Sequence, residues 1–159
     1  MLGHHGWATL TLLDRCMALS PEQLQLTAPG TFGSIHATLS HLVLADGRYQ
    51  RRIAGDEVGP RHQGPPPPLA TLRAQMERQA ARWLELLDRL EELDYSHPAE
   101  PDSDPPYPAI EHAATLMLAQ AVHHGNEHRT HVMTVLGANG LDDPDLSAWE
   151  YVRLIRPEG

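Results

Sequence analysis

The chain contains no lysine. All twelve of its basic residues are arginine, which excludes Schiff-base catalysis, a lysine-anchored pyridoxal phosphate and a Walker-type phosphate loop, because each needs a lysine amine. Its one cysteine, Cys16, cannot form an internal disulfide, and such usage fits a reducing cytoplasm. No apolar run reaches membrane-spanning length, and the opening Met1-Leu2-Gly3-His4-His5 lacks the basic and apolar regions of a secretory signal. The expectation is a cytoplasmic protein with no membrane partner. The net charge is −9, with no basic patch denser than Arg48, Arg51 and Arg52. A nucleic-acid partner held through its phosphates is therefore disfavoured. There is one phenylalanine against 14 prolines. Together with the arginine-only usage this reads as the bias of a GC-rich genome, so residue type alone assigns most of these side chains no function.

What the chain does have is histidine, and the most informative stretch is His123-His124-Gly125-Asn126-Glu127-His128-Arg129-Thr130-His131. On a helix, His124 and His128 stand one turn apart, about 40° around the axis and roughly 6 Å along it. Two imidazoles so placed can close on one metal ion. The stripe Met117, Ala121, His124, His128, His131, Val135 alternates steps of four and three, so the histidines share a face with apolar residues. An inward histidine pair is costly unless a metal or a hydrogen-bond network satisfies it.

At 159 residues the chain has the length of one domain spanning 1–159 with a sizeable core. Four long segments carry helical periodicity. The first runs from about Gly6 to Leu19, with Trp7, Leu10, Leu13 and Cys16 or Met17 in step. The second covers 34–54, with Ser34 as N-cap, Gly55 as its stop and a stripe of Ile35, Leu39, Leu42, Tyr49 and Ile53 that Asp46 interrupts. The third covers 69–93, on Leu72, Met76, Gln79, Trp83, Leu86, Leu90 and Leu93, with one polar break. The fourth extends from Pro108 or Ala109 to Leu136, with Gly137 at its cap, and a short fifth follows from Pro144 to Leu154 after Asp143. Residues 55–68, ending in four prolines, form a stiff link that can span a helix. Residues 94–108, with Pro98, Pro101, Pro105, Pro106 and Pro108, form a second proline-rich loop. The fold class is all-α: a four-helix bundle with a long crossover connection and a short C-terminal helix.

The second helix adds His36 and His41, which flank its apolar face on opposite sides. Spacing does not choose between them; Ala37 and Ala45, about one turn either side of His41, give it a weak preference because small residues admit a neighbouring backbone. Here the chain resembles a known family. Thr31-Phe32-Gly33-Ser34-Ile35 through Thr38-Leu39-Ser40-His41-Leu42-Val43-Leu44-Ala45-Asp46 is similar to the second-helix signature of the DinB superfamily of bacterial metalloproteins. His124-Gly125-Asn126-Glu127-His128-Arg129 is similar to that family's late H-x-x-x-H-R motif. The tail from Leu136-Gly137 to Trp149-Glu150-Tyr151 also fits, and His5-Gly6-Trp7-Ala8 is a looser match to the first helix.

The resemblance implies a bundle, often dimeric, that binds a divalent metal through His41, His124 and His128. It also implies kinship with thiol-dependent enzymes, the bacillithiol or mycothiol S-transferases and a mycothiol-dependent maleylpyruvate isomerase. The chain departs from the pattern at His123, where the family often has asparagine, and at Glu127, where an aromatic or histidine is common. Three neutral histidines suit zinc, or alternatively nickel, and leave a coordination position open, as catalytic sites do. Activation of a low-molecular-weight thiol for transfer to a small electrophile is the leading expectation; metal-dependent hydrolysis of a small substrate and a non-catalytic metal-binding stress protein are the alternatives. Glu127 is the candidate proton carrier, against a solvated glutamate. Arg129 is the candidate holder of an acidic substrate, against a plain ion pair. His131 is a fourth ligand, a partner to a ligand or an ordinary histidine, while His123 faces solvent or an interface. His124-Gly125-Asn126-Glu127-His128 also matches the inverted zinc-peptidase signature H-x-x-E-H. That reading needs a distant downstream carboxylate, and the only glutamates beyond it are Glu150 and Glu158.

Overall fold

A computed structural model of the chain describes residues 1–93, 95–98 and 108–156. It is all-helical: α1 Leu2–Cys16, α2 Ile35–Ala54, α3 Leu69–Asp88, α4 Ala114–Ala138 and α5 Ala148–Ile155, with 3-10 turns at Gln23–Gln25 and Leu90–Glu92. No strand occurs among the described residues, only an isolated antiparallel bridge between His97 and Ile110. Three prolines assigned to the second loop, Pro101, Pro105 and Pro106, lie outside the described residues, as does Glu158.

The helices start and stop for local reasons. Ser34 caps α2, its hydroxyl accepting the Ala37 N–H at 3.2 Å. Gly55, at φ 75°, ends it, with Gly55 N–H bonded to Arg52 O and Asp56 N–H to Arg51 O. This left-handed C-terminal motif demands a residue without a Cβ penalty. The same motif closes α4 at Gly140, φ 68°, with Leu141 N–H bonded to Leu136 O and Gly140 N–H to Gly137 O. The expected stop at Gly137 is thus corrected to three residues later. The expected start of α4 at Pro108 or Ala109 is also too early. The Ile110 N–H is donated to His97 O, and His112 sits at φ 51°, outside helical space, so α4 begins after it. α1 begins earlier than its stripe suggested, because Leu2 is itself buried. α5 begins at Ala148, not Pro144, on a Ser147 cap that accepts the Glu150 N–H.

α2 and α3 run parallel, joined by the long crossover 55–68. His36 near the start of α2 reaches Pro67 before α3, and Asp46 and Gln50 further along meet Trp83 and Gln79. α1 and α4 run the other way; α1 packs on α3, α4 packs on α2, and α1 and α4 touch each other, so α1 lies diagonally across the bundle from α2, and α3 from α4. The core has two apolar halves. One gathers Leu12, Leu13, Ile35, Leu39, Leu72, Met76, Val135 and Leu136, the other Leu2, Ile53, Trp83, Leu86, Met117, Leu118 and Ala121. Between them lies a buried polar layer to which every long helix contributes: His5 and Thr9 from α1, Asp46 and Gln50 from α2, Gln79 from α3, His128 and Arg129 from α4. Asp46 and Gln79 are the two polar breaks in the sequence stripes.

Candidate metal centre

At the level of this polar layer, α2 and α4 bring three imidazoles together. One ring nitrogen from each of His41, His124 and His128 can be chosen so that all three lie within 4.8 Å of one another. His41 Nε2 and His124 Nε2 stand 3.0 Å apart. The one-turn spacing on α4 puts the His124 and His128 ring centroids 4.3 Å apart, and His41 projects from α2 to complete the triangle. Phe32, in the loop before α2, stacks on His41 at 4.5 Å and presents its edge to His128 at 4.8 Å. Tyr49, two turns beyond His41, sets its ring edge to edge-on contact with His124 at 5.5 Å.

The donor set suits a divalent cation. Burial, reinforced by the neighbouring rings, lowers the pKa of His124 to about 3 and of His128 to about 4. Burial, with a contribution from Arg61, moves His41 the same way. All three are therefore neutral at physiological pH, as metal ligation requires. Among the described residues His128 Nδ1 is buried with no hydrogen-bond partner, and no carboxylate, thiol or further histidine joins the cluster.

The other histidines and the two expected catalytic residues have different placements. His36 is turned away from the cluster, with its Nε2 2.7 Å from Pro67 O at the head of α3. His123 is exposed. His131 lies 5.6 Å from His128, centroid to centroid, outside the cluster of three. Glu127 is exposed and lines neither of the cavities described below, although its charge reaches His128 and opposes the lowering of that pKa. Arg129 is only 4% exposed and turns inward, donating from Nη1 to Thr9 Oγ1 at 3.0 Å and to His5 Nδ1 at 3.2 Å. His5 Nε2 in turn lies 2.9 Å from Asp46 Oδ1, and Asp46 also accepts the Trp83 indole N–H at 2.9 Å. These contacts fix His5 as the neutral Nε2–H tautomer, accepting from Arg129 and donating to Asp46. The Arg129 cation and the Asp46 carboxylate are thereby joined across the bundle through an imidazole. Burial lowers the Arg129 pKa to about 10, against the opposing influence of Asp46.

Sequence reasoning marked Arg129 as a substrate holder or ion-pair partner, and Asp46 and Gln79 as polar breaks. It had no signal that His5 joins Arg129 to Asp46, nor for Phe32 as a cover on the site. Gly125 is the hinge between the two systems, because a Cβ there would collide with the His5 ring, 2.6 Å from Nδ1.

A cavity of about 500 Å³ opens beside the cluster, with His41 and His124 in its wall. A second, of about 430 Å³, lies between α4 and the segment before α5, lined by Asn126, Thr130, Met133 and Leu146 among others.

The fold and site define an all-helical bundle with three histidines converging from two of its helices. The chain belongs to the DinB superfamily, whose family model matches residues 6–132. No curated protein and no solved structure matched the chain in the corresponding comparisons.

Proposed function

We propose that this chain is a divalent-metal-dependent transferase in which His41, His124 and His128 hold the ion and a low-molecular-weight thiol is the cosubstrate. The observation that carries the metal reading is the convergence of three neutral imidazoles from α2 and α4 on one point beside a cavity. Zinc is the favoured ion and nickel the alternative, since imidazole nitrogens suit both. When bound, the ion supplies a Lewis acid that stabilises a thiolate over a thiol at neutral pH. The thiol comes from outside the chain: Cys16 is fully buried in the core, and burial raises its pKa to about 12. The protein's own residues orient the ligand rings through Phe32 and Tyr49, and they admit a small electrophile through the cavity. Hydrolysis is less well served, because among the described residues no carboxylate lines that cavity to act as general base for water. Glu127 and Arg129 keep a part in this proposal at one remove, Glu127 as a solvent-side proton carrier and Arg129 as the anchor of the relay behind α4.

The test is metal analysis of the purified protein followed by thiol-transfer assays with model electrophiles. His41→Ala, His124→Ala and His128→Ala should each lose most bound metal and the thiol-dependent rate, while His36→Ala and His123→Ala keep both. Cys16→Ala should retain the rate. Full metal occupancy in His124→Ala would overturn the ligand assignment, and turnover that ignores added thiol would replace transfer by hydrolysis. We also propose a homodimer: exposed Trp149, Val152 and Ile155, spaced three apart, give α5 an uncovered apolar face. Light scattering should report about twice the 17.6 kDa chain mass, and a monomer would reject that part alone.

A further inference from the structure

The cavity beside the three histidines has a second character. Arg48 and Arg52 of α2 and Arg61 of the crossover all stand in its wall. Of the other arginines, four pair with acids: Arg73 with Asp14, Arg82 with Asp56, Arg89 with Glu92 and Arg153 with Glu150. Arg15, Arg51, Arg78 and Arg156 stand apart from one another, with no ion pair among the described residues. Arg129 reaches Asp46 through His5. Among the described residues Arg48, Arg52 and Arg61 pair with no carboxylate; Arg48 donates only to Gly59 O, at 2.7 Å. Among the described residues no acidic side chain lines the cavity. In a chain with 21 acidic residues against 12 basic ones, three uncompensated guanidinium groups around one cleft run against the composition of the whole surface. They crowd one another: burial first, and then Arg52, Arg61 and Arg51, lower the Arg48 pKa. An anion entering the cleft would relieve that repulsion and find planar donors suited to carboxylate or phosphate. The remaining wall is largely apolar, with Ala37, Leu44, Ala45 and Pro66, and the volume of about 500 Å³ suits a compact molecule.

We propose that this cleft binds a small organic dianion, two carboxylates or a phosphate on a compact apolar body, with its acidic groups on Arg48, Arg52 and Arg61 and its other end toward His41 and His124. For its chemistry this rests on the transferase reading above, since it names the class of molecule that site would take. The binding itself does not depend on that reading. A polynucleotide carries the same phosphate chemistry but meets a chain of net charge −9, which repels an extended polyanion.

Isothermal titration calorimetry on the metal-loaded protein, repeated after chelation, tests the proposal with phthalate, inorganic phosphate and the uncharged phthalamide as probes. Phthalate should bind at least about tenfold tighter than phthalamide, and its affinity should fall as salt rises. Arg52→Gln and Arg61→Gln should each weaken phthalate by about tenfold. Arg78→Gln, an exposed arginine on the outer face of α3, should stay within about twofold of the parent. Phosphate should compete with phthalate, and phthalate binding should persist after chelation. Equal binding of phthalate and phthalamide, or losses in Arg52→Gln and Arg61→Gln no larger than in Arg78→Gln, would overturn the proposal. So would phthalate binding that disappears with the metal, since the anion would then sit on the ion and not on the arginines. A protein that binds phthalate through Arg52 and Arg61 yet retains metal in His124→Ala would refute the ligand assignment and leave this inference standing. Metal loss in His124→Ala without arginine-dependent phthalate binding would do the reverse.

Discussion

Gly125 shows how one missing side chain serves two systems. It follows the clustered His124 directly in sequence, and the ring of His5 fills the space where its Cβ would be. That ring is buried and held at both nitrogens, by Arg129 and Asp46, so it cannot step aside without breaking the link between a buried cation and a buried anion. Alanine is favoured over glycine in a helix interior by about 1 kcal/mol. The collision outweighs that gain, because overpacking costs about 1–3 kcal/mol and an unpaired buried charge costs more. Gly125→Ala should therefore lower stability by about 2 kcal/mol or more in urea denaturation. A variant as stable as the parent would show that His5 can be displaced freely. A Cβ at Gly47 would likewise meet the side-chain amide of Gln79, but a glutamine end can swing, so Gly47→Ala is expected to cost less.

The caps act at the scale of the element, and here α2 and α5 separate. Both begin on a serine whose hydroxyl accepts a backbone N–H at 3.2 Å. α2 buries ten of its residues and carries His41, whereas α5 buries none. Ser34→Ala should therefore cost about 1 kcal/mol of global stability. Ser147→Ala should leave the global denaturation midpoint in place and increase amide exchange within α5 alone, since a weakly docked helix frays locally. A midpoint shift in Ser147→Ala equal to that in Ser34→Ala would contradict this division.

The same elements show what could be read in the sequence. Ser34 and Gly55 marked α2 correctly because capping is local chemistry. The start of α4 was missed because Ile110 is engaged by His97 from another segment, and no local pattern announces that. His124 and His128 followed from spacing on one helix. The choice of His41 over His36 depends on which flank of α2 faces α4 and which faces the head of α3, and that is tertiary information. Asp46 and Gln79 were visible as breaks in their stripes, but only packing joins them into one layer with His5 and Arg129. The arginines of the cleft were divided between a helix and a proline-rich link, so the sequence showed a modest patch where the fold makes a pocket.

At the scale of the whole molecule, the three clustered histidines make stability depend on pH. Without metal, His124 and His128 titrate in the folded chain near 3 and 4 and His41 is also lowered, against 6.5 for an ordinary histidine. Between those values the unfolded chain binds more protons than the folded one, so stability is full above about 6.5 and falls as pH drops toward 4. Thermal scans of chelated protein should show the melting midpoint falling across that window, and falling less in His124→Ala. Zinc should raise the midpoint more at pH 7 than at pH 5, because protons and metal compete for the same lone pairs. A midpoint that is flat with pH in the chelated protein would mean that these rings are not held neutral by the fold.

The crossover divides the labour of the molecule in a way that bears on its evolvability. The three imidazoles stand on α2 and α4, whose positions the core determines, while Arg61, His62, Gly64 and Pro66, on the outer side of the cavity, belong to a segment that contributes no residue to either half of that core. Replacing residues 57–66 by another sequence of equal reach should leave every residue of both core halves and all three clustered histidines in place. One histidine cluster set by the core can thus be combined with different cavity walls, and the cost of changing that wall is confined to a tether outside both halves of the core.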